Sequence, residues 1–225
     1  MKKDRVIIMA DVIGSSEANK GKLMKQFVQL VAEINKENEE LLLSPLTITL
    51  GDEFQGVMKG LRESLSIIFS LEEKIFRNTP GFSLRYVVVE GTIDTAINRD
   101  IAYGMLGDGL TIARKYLENL KKSKHRFYFN LKDKKKEAEL NNLFIALQDI
   151  VDDWDREKDY NLVSKFLELN DYKAVALNLN KERSLMWKRN KSLKIDSYNA
   201  LKLVANFIGG MPYAKNNLSD ISFFA

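Results

Sequence analysis

The chain has 225 residues, of which 45% are hydrophobic and 29% charged, with a formal net charge of +4. This length accommodates one large domain or two modest ones, and the composition is that of an ordinary soluble globular protein. The absence of cysteine excludes disulfides, thiolate zinc sites and cysteine nucleophiles, and the single histidine, His125, disfavours a Ser-His-Asp triad. No apolar run approaches the roughly 18 residues of a membrane span, and the N-terminus lacks a signal-peptide pattern. We therefore expect a cytoplasmic protein that makes no membrane contact.

The first 130 residues alternate short β-branched runs with amphipathic stretches, which predicts the element order β-α-β-β-α-β-α-β. A tight turn at Gly51-Asp52-Glu53 joins the second and third strands as a hairpin. This order favours an α+β fold, with an antiparallel or mixed sheet and helices packed on one face. The predicted strands are 5–10, 46–50, 54–58, 84–89 and 126–130, and the predicted helices are 20–42, 60–77 and 110–120.

The remainder of the chain contains no convincing strand. Helical periodicity predicts helices over 140–151, 161–169, 172–179, 182–192 and 197–208. The change of character near Lys136 predicts two domains, an α+β domain over 1–135 and an all-α domain over 140–225.

The segment 172–192 has the pattern of a helix-turn-helix, with a break at Asn180-Lys181. Cationic and amide side chains on its second helix suit phosphate contacts and base-edge hydrogen bonds, which predicts DNA binding. A small helical bundle with a basic solvated face explains the same pattern, and Trp187 also suits a protein interface. The predicted buried positions are Ala174, Val175, Leu177, Leu179, Leu185, Met186 and Leu193, and the predicted DNA-binding residues are Arg183, Ser184, Lys188, Arg189, Asn190 and Lys191.

Two carboxylates stand at the ends of predicted neighbouring strands. Asp11 follows the first strand, and Asp52 lies in the hairpin turn. Two such carboxylates repel each other unless a cation lies between them, and Mg²⁺ or Mn²⁺ suits carboxylate oxygens and bridges to phosphates. Gly14, Ser15 and Ser16 precede the first helix, and backbone N–H groups at a helix N-terminus bind phosphate. Arg114 has the positive charge that would stabilise a transferring phosphoryl group. A purely structural role in capping turns and pairing surface charges accounts equally well for these residue types.

Three segments resemble the motifs of class III nucleotide cyclases in order and spacing over about residues 5–120. These segments are ADVIGSS (10–16), LGDEFQGV (50–57), and RYVVVEGTI (85–93) with YGMLGDGLTIARKYLE (103–118). The second segment is also similar to the GGDEF signature of diguanylate cyclases, which share the palm-like fold. The resemblance implies a ferredoxin-like, palm-type sheet, metal binding by Asp11, Asp52 and the carbonyl of Val12, and a transition-state role for Arg114.

The sequence departs from the cyclase pattern where the family contacts the base. Leu110 stands where a cyclase has asparagine, and Ile48 stands where it has the base-selecting lysine. The second base-selecting position falls near Ile101. Because leucine and isoleucine side chains form no hydrogen bonds, we expect nucleotide binding without ordinary cyclase turnover.

The whole chain resembles the SatD family of bacterial proteins, which combine a degenerate cyclase-like half with a helical, DNA-binding-like half. This resemblance implies a regulatory protein that binds DNA through its C-terminal helices and a metal-nucleotide through its N-terminal domain. The alternatives are an active metal-dependent cyclase or ring-opening hydrolase of nucleoside triphosphates, and a protein-interaction scaffold. The cyclase likeness further implies a homodimer.

Overall fold

A five-stranded mixed sheet organises the first 130 residues in the computed structural model, which describes residues 3–13, 20–78 and 81–210. The strand order is β2-β3-β1-β4-β5, in which β5 runs parallel to β4 and all other neighbours are antiparallel. The predicted order β-α-β-β-α-β-α-β and the mixed α+β character are confirmed. The strands are β1 (Lys3–Ile13), β2 (Leu42–Leu50), β3 (Glu53–Met58), β4 (Ser83–Ile93) and β5 (Phe127–Asn130).

The helices lie close to the predicted segments, with one clear difference at the first. That helix ends at Glu37, and β2 already begins at Leu42 and continues through Pro45. Proline is tolerated there because β2 is an edge strand, where a backbone N–H is not needed for pairing. The helices are α1 (Lys20–Glu37), α2 (Leu61–Asn78), α3 (Asp108–Leu120), α4 (Lys134–Asp152), α5 (Tyr160–Leu169), α6 (Tyr172–Asn178), α7 (Arg183–Ser192) and α8 (Ile195–Ile208).

Membrane-spanning character is missing from the part of the chain that the structure describes: none of its helices combines the length and apolarity that a bilayer requires.

Helices cover both faces of the sheet, so the prediction of helices on one face is wrong. Successive side chains of a strand point to opposite faces. In β1, Ile8 and Ala10 therefore belong to the core formed with α1 and α2, whereas Ile7 and Met9 belong to a second core formed with α3. Both strand faces of β1 are apolar, which is typical of a strand covered on both sides.

The C-terminal helices pack onto the α2 side of the sheet. The ring of Phe76 on α2 lies 5.1 Å from the ring of Trp154 and 5.2 Å from that of Tyr160. The Trp154 indole N–H donates to the carbonyl of Leu193 at 2.8 Å. Buried side chains from α4 to α8 belong to the same hydrophobic cluster as those of α1 and α2. The division of the chain into two domains, over 1–135 and 140–225, stays a prediction.

A buried ion pair between Glu72 of α2 and Arg126 joins this helix to the sheet. The Arg126 guanidinium donates to the Glu72 carboxylate at 3.2 and 3.0 Å and to the carbonyl of Leu84 at 2.9 Å. The Tyr86 hydroxyl donates to the same carboxylate at 2.8 Å. Burial lowers the pKa of Arg126, but the charge and hydrogen bonds of Glu72 outweigh this, so its pKa lies above the ordinary value. The pair therefore connects α2 and β4 to the residue that directly precedes β5.

Candidate functional site

A row of charged side chains crosses the sheet where three strands end on the α3 face. Asp11 of β1 pairs in register with Glu53 of β3 on one side and with Arg85 of β4 on the other. Strand alternation places Asp11 on the same face as Ile7 and Met9, which contact α3. Directly opposed residues of neighbouring strands bring their side chains into contact range, so the register itself assembles this row.

Asp11 is buried, and Arg85 neutralises it. One terminal nitrogen of Arg85 donates to both oxygens of Asp11, at 3.1 and 2.8 Å. Burial raises the pKa of Asp11 from 3.8 to about 6, although Arg85 and Lys121 act to lower it. The charges of Asp52 and Glu118 add to the rise. Asp11 therefore carries a proton more readily than an ordinary aspartate.

Helix α3 and the residue that directly follows it supply two further cations to the row. Arg114 and Lys121 are seven residues apart, which is two helical turns and places them on one side of the helix. The Arg114 guanidinium donates to one oxygen of Glu53, and the Lys121 ammonium donates to the other at 2.8 Å. Lys121 also donates to Glu118 at 2.8 Å and lies 4.0 Å from Asp11. Glu53 thus accepts from a cation at each of its two oxygens.

Two glycines allow α3 to lie directly on the sheet. A Cβ atom added to Gly91 of β4 would lie 2.6 Å from the Cα of Gly109, closer than a side chain can approach a backbone atom. A Cβ added to Gly109 would in turn lie 2.9 Å from the carbonyl carbon of Gly91. This close packing brings the side chains of α3 within reach of Asp11 and Glu53.

An open cleft of about 300 Å³ borders the charged row. Arg114 belongs to both, because its side chain lines the cleft and also donates to Glu53. The lining residue Gln55 is held by the loop that precedes α3: its side-chain amide donates to the carbonyl of Ala102, and the N–H of Ala102 donates to the Thr47 hydroxyl at 2.8 Å. The cleft is lined by Met9, Gln55, Met105, Leu110, Thr111 and Arg114. It combines an apolar wall with one cation, as small-molecule sites do.

The predicted metal and phosphate residues are only partly brought together. Asp52 lies half-buried in the hairpin turn, and its carbonyl accepts from the backbone N–H of Val12 at 3.0 Å. The Val12 side chain lies in the core on the opposite face. The predicted phosphate-binding residues Gly14, Ser15 and Ser16 lie outside the described residues.

The two departures from the cyclase pattern occupy different places. Leu110 lines the cleft, so an apolar side chain stands in its wall. Ile48 packs against the core on the opposite face of the sheet and does not line the cleft. Ile101 is exposed and does not line the cleft.

The carboxylate oxygens of Asp11 and Glu53 do not fit the predicted Mg²⁺ or Mn²⁺ ion. Such an ion is bound through carboxylate charge that no neighbouring cation already balances. Here both oxygens of Asp11 accept from Arg85, and each oxygen of Glu53 accepts from a cation of its own. Across residues 3–13, 20–78 and 81–210, no group of three or more His, Cys, Asp or Glu side chains is arranged to hold a metal ion.

Three members of the site, Glu53, Arg85 and Lys121, were not predicted from the sequence. Two signals were present. Arg85 alternates with Val87 and Val89 along β4, and Lys121 follows Arg114 at the two-turn spacing. What neither signal supplies is the register between strands, which decides that these side chains meet Asp11.

The second candidate site is the predicted DNA-binding surface on α6 and α7, and only some of its predicted residues are exposed. Arg183, Ser184 and Lys188 are exposed. A residue that contacts DNA has to face outward, which was the expectation for Asn190; this expectation is wrong, because Asn190 is buried and donates to Asp196 at 2.9 Å. Arg189 donates to Asp159, and Lys191 donates to Asp196 at 2.7 Å.

Two positions predicted to be buried are exposed, namely Leu177 at 85% and Leu185 at 45%. The predicted positions Val175 and Met186 are buried, and α6 buries Ala176 beside Val175. Asn180 adopts φ 50° in the connecting turn, a left-handed conformation that asparagine tolerates where glycine is usual. The helix-turn-helix identification stays a prediction.

Comparison with solved structures finds nucleotide cyclase domains at low identity. A bacterial light-regulated adenylyl cyclase is 11% identical over 57% of this chain, with a TM-score of 0.43, and the chain spans only 43% of that protein. The guanylyl cyclase domain of the RhoGC fusion protein from Blastocladiella emersonii is 16% identical over 52% of this chain and 77% of its own, with a TM-score of 0.40. The guanylate cyclase domain of RhGC from Catenaria anguillulae, in complex with GTP, is 15% identical over 52% and 72%, also with a TM-score of 0.40.

No curated protein sequence matches the chain. The SatD family, in contrast, matches residues 5–207, which include the sheet, the charged row and most of the C-terminal helices. This chain belongs to the SatD family.

Proposed function

We propose that this protein binds a nucleoside triphosphate in the cleft beside the charged row and does not cyclise it. The proposal rests on one observation: the Arg114 side chain lines the cleft and also donates to Glu53 at the edge of the charged row. A phosphate group entering the cleft meets this cation, and charge-assisted hydrogen bonds from arginine to phosphate are among the strong ones in proteins. Met9, Met105 and Leu110 offer an apolar surface for the base.

Cyclisation has weaker support than binding. The reaction needs a held base, a positioned 3′-hydroxyl and relief of charge on the transferring phosphoryl group. Leu110 forms no hydrogen bond to a base or phosphate, and the Arg114 guanidinium already donates to Glu53. The loss of one preorganised donor typically costs about 10²–10³ in rate.

The first prediction concerns binding and turnover of ATP, GTP, CTP and UTP. We expect calorimetry to detect a dissociation constant between micromolar and millimolar for at least one of them. Arg114→Ala should weaken this binding at least about tenfold, because a charged hydrogen bond is worth roughly 1.5–3 kcal/mol. Lys115→Ala, an exposed position of the same helix, is the matched control and should leave it unchanged.

Chromatography of the same mixtures after incubation with Mn²⁺ should detect no cyclic or ring-opened product. A clear product that is lost in Asp11→Ala would make this protein an enzyme and refute the proposal. Equal binding by Arg114→Ala and the wild type would place the nucleotide elsewhere.

DNA is the second candidate ligand, through α7. The specific observation is that Arg183–Ser192 contains four cationic residues and no acidic one. Arg183 and Lys188 are exposed on this helix, whereas Arg189 and Lys191 have acidic partners within the fold. With nucleotide binding in the other half of the chain, this surface would make the protein a ligand-responsive regulator.

The second prediction therefore concerns the salt dependence of DNA binding. In fluorescence anisotropy with duplex DNA, the double variant Arg183→Ala/Lys188→Ala should bind more weakly. Its log–log salt slope should be flatter by about one for each phosphate group that the variant no longer neutralises. Lys134→Ala/Lys135→Ala removes the same charge from α4 and should change little. Absence of wild-type binding even at low salt would exclude the DNA candidate and leave a helical bundle with a basic face.

A further inference from the structure

The carboxylates of the charged row are neutralised by side chains of the chain itself. The Asp11 and Glu53 side chains are only 6% and 7% exposed, so their negative charges are largely removed from water. Buried carboxylates without a counter-charge are strongly destabilising. Arg85 supplies that charge to Asp11 at 2.8 Å, and Lys121 supplies it to Glu53 at 2.8 Å.

The ammonium of Lys121 has the surroundings of a bound cation. It donates to carboxylate oxygens of Glu53 and Glu118 at 2.8 Å each, and a third carboxylate oxygen, from Asp11, lies 4.0 Å away. Three carboxylates from two strands and one helix thus surround one positive charge. Lys121 directly follows the last residue of α3, where the negative end of the helix dipole also favours a cation.

We infer that Lys121 and Arg85 replace a divalent metal ion at this carboxylate cluster, which therefore needs no metal ion to hold its charge or its ligand. A divalent ion would have to enter between two cations and take oxygens that already accept hydrogen bonds. The cluster belongs to the same site as the proposed function. The statement that no metal ion is needed to hold a ligand rests on that function, whereas the statement about the charge of the cluster does not.

Lys121 is therefore the residue whose removal should create a metal site. In Lys121→Met the side chain keeps a similar length and loses its charge. Glu53 and Glu118 then lose the cation that they share, and Asp11, 4.0 Å from the position of the lost ammonium, still adds negative charge nearby. Carboxylate oxygens with water suit Mn²⁺ or Mg²⁺. Lys122→Met is the matched control, because it removes the same charge from the next residue, which is exposed.

The test is titration of each purified protein, stripped of metal, with Mn²⁺ alone, followed by the electron paramagnetic resonance signal of free Mn²⁺. We expect the wild type and Lys122→Met to bind no Mn²⁺ tightly up to about millimolar concentration. Lys121→Met should bind one ion at least about tenfold more tightly, and Lys121→Met combined with Asp11→Asn should lose much of this gain.

Tight Mn²⁺ binding by the wild type that disappears in Asp11→Asn would overturn the inference, as would a folded Lys121→Met that gains no affinity. If Lys121→Met does not fold, as judged by circular dichroism, the wild-type and Asp11→Asn titrations still decide the matter. Because no nucleotide is present, failure of nucleotide binding leaves this test intact. Conversely, metal binding by the wild type would refute this inference but would not affect the result of the nucleotide titration.

Discussion

Arg126→Met is expected to lower the free energy of unfolding by about 3–5 kcal/mol, the cost of leaving one partner of a buried ion pair without its counter-charge. The substitution removes three hydrogen bonds, two to Glu72 and one to the carbonyl of Leu84. The Glu72 carboxylate, which is 3% exposed, keeps the hydrogen bond from the Tyr86 hydroxyl but loses the guanidinium charge. Urea denaturation followed by circular dichroism measures the change.

Two comparison variants separate the effect of the buried charge from that of a smaller side chain. Glu72→Gln/Arg126→Met removes both charges and keeps an acceptor for the Tyr86 hydroxyl, so it should recover a large part of the lost stability. Lys165→Met breaks the surface pair with Glu168, which water and salt screen, and should therefore change the stability far less than Arg126→Met does. A decrease below about 1 kcal/mol in Arg126→Met itself would show that the pair does not support the fold.

Asp11→Asn is expected to stabilise the protein at pH 8 and to change its stability little at pH 4. The pKa of Asp11 is raised from 3.8 to about 6, chiefly by burial, so the folded state binds the proton more tightly than the unfolded state does. The charged form therefore costs stability: the cost is absent below about pH 4, grows as the pH rises towards 6, and is complete above it. At 1.36 kcal/mol for each unit between these values, the cost is at most about 3 kcal/mol. Asparagine, which is neutral at every pH, avoids it.

The measurement is urea denaturation of the wild type and Asp11→Asn at several pH values between 4 and 8. Asp149→Asn, which makes the same change at an exposed position of α4, is the control. A difference in stability that is constant over this range would contradict the prediction. So would a variant less stable than the wild type at pH 8, because the ion pair with Arg85 would then outweigh the burial of Asp11.

The sequence alone was sufficient for the order and type of the elements. Strand and helix periods are local properties, since they depend on which residues recur every two or every 3.6 positions. The β-α-β-β-α-β-α-β order and the helical C-terminal part follow from them, as does the position of Asp52 in the hairpin turn. Asp11 was expected to follow the first strand, but β1 continues to Ile13 and includes it. Local motifs were also sufficient to identify the SatD family, which matches residues 5–207.

Only the tertiary structure decided which side chains meet. Arg85 is 74 residues from Asp11, and Lys121 is 68 residues from Glu53, and their contacts depend on strand register and on the close packing of α3 at Gly91. A register shift of one residue would turn Asp11 to the opposite face of the sheet. The same holds for α6, where Leu177 fits the helical period of a core residue but points to solvent. Periodicity defines a face of an element, whereas the packing of distant elements determines which face is covered and which charges become partners.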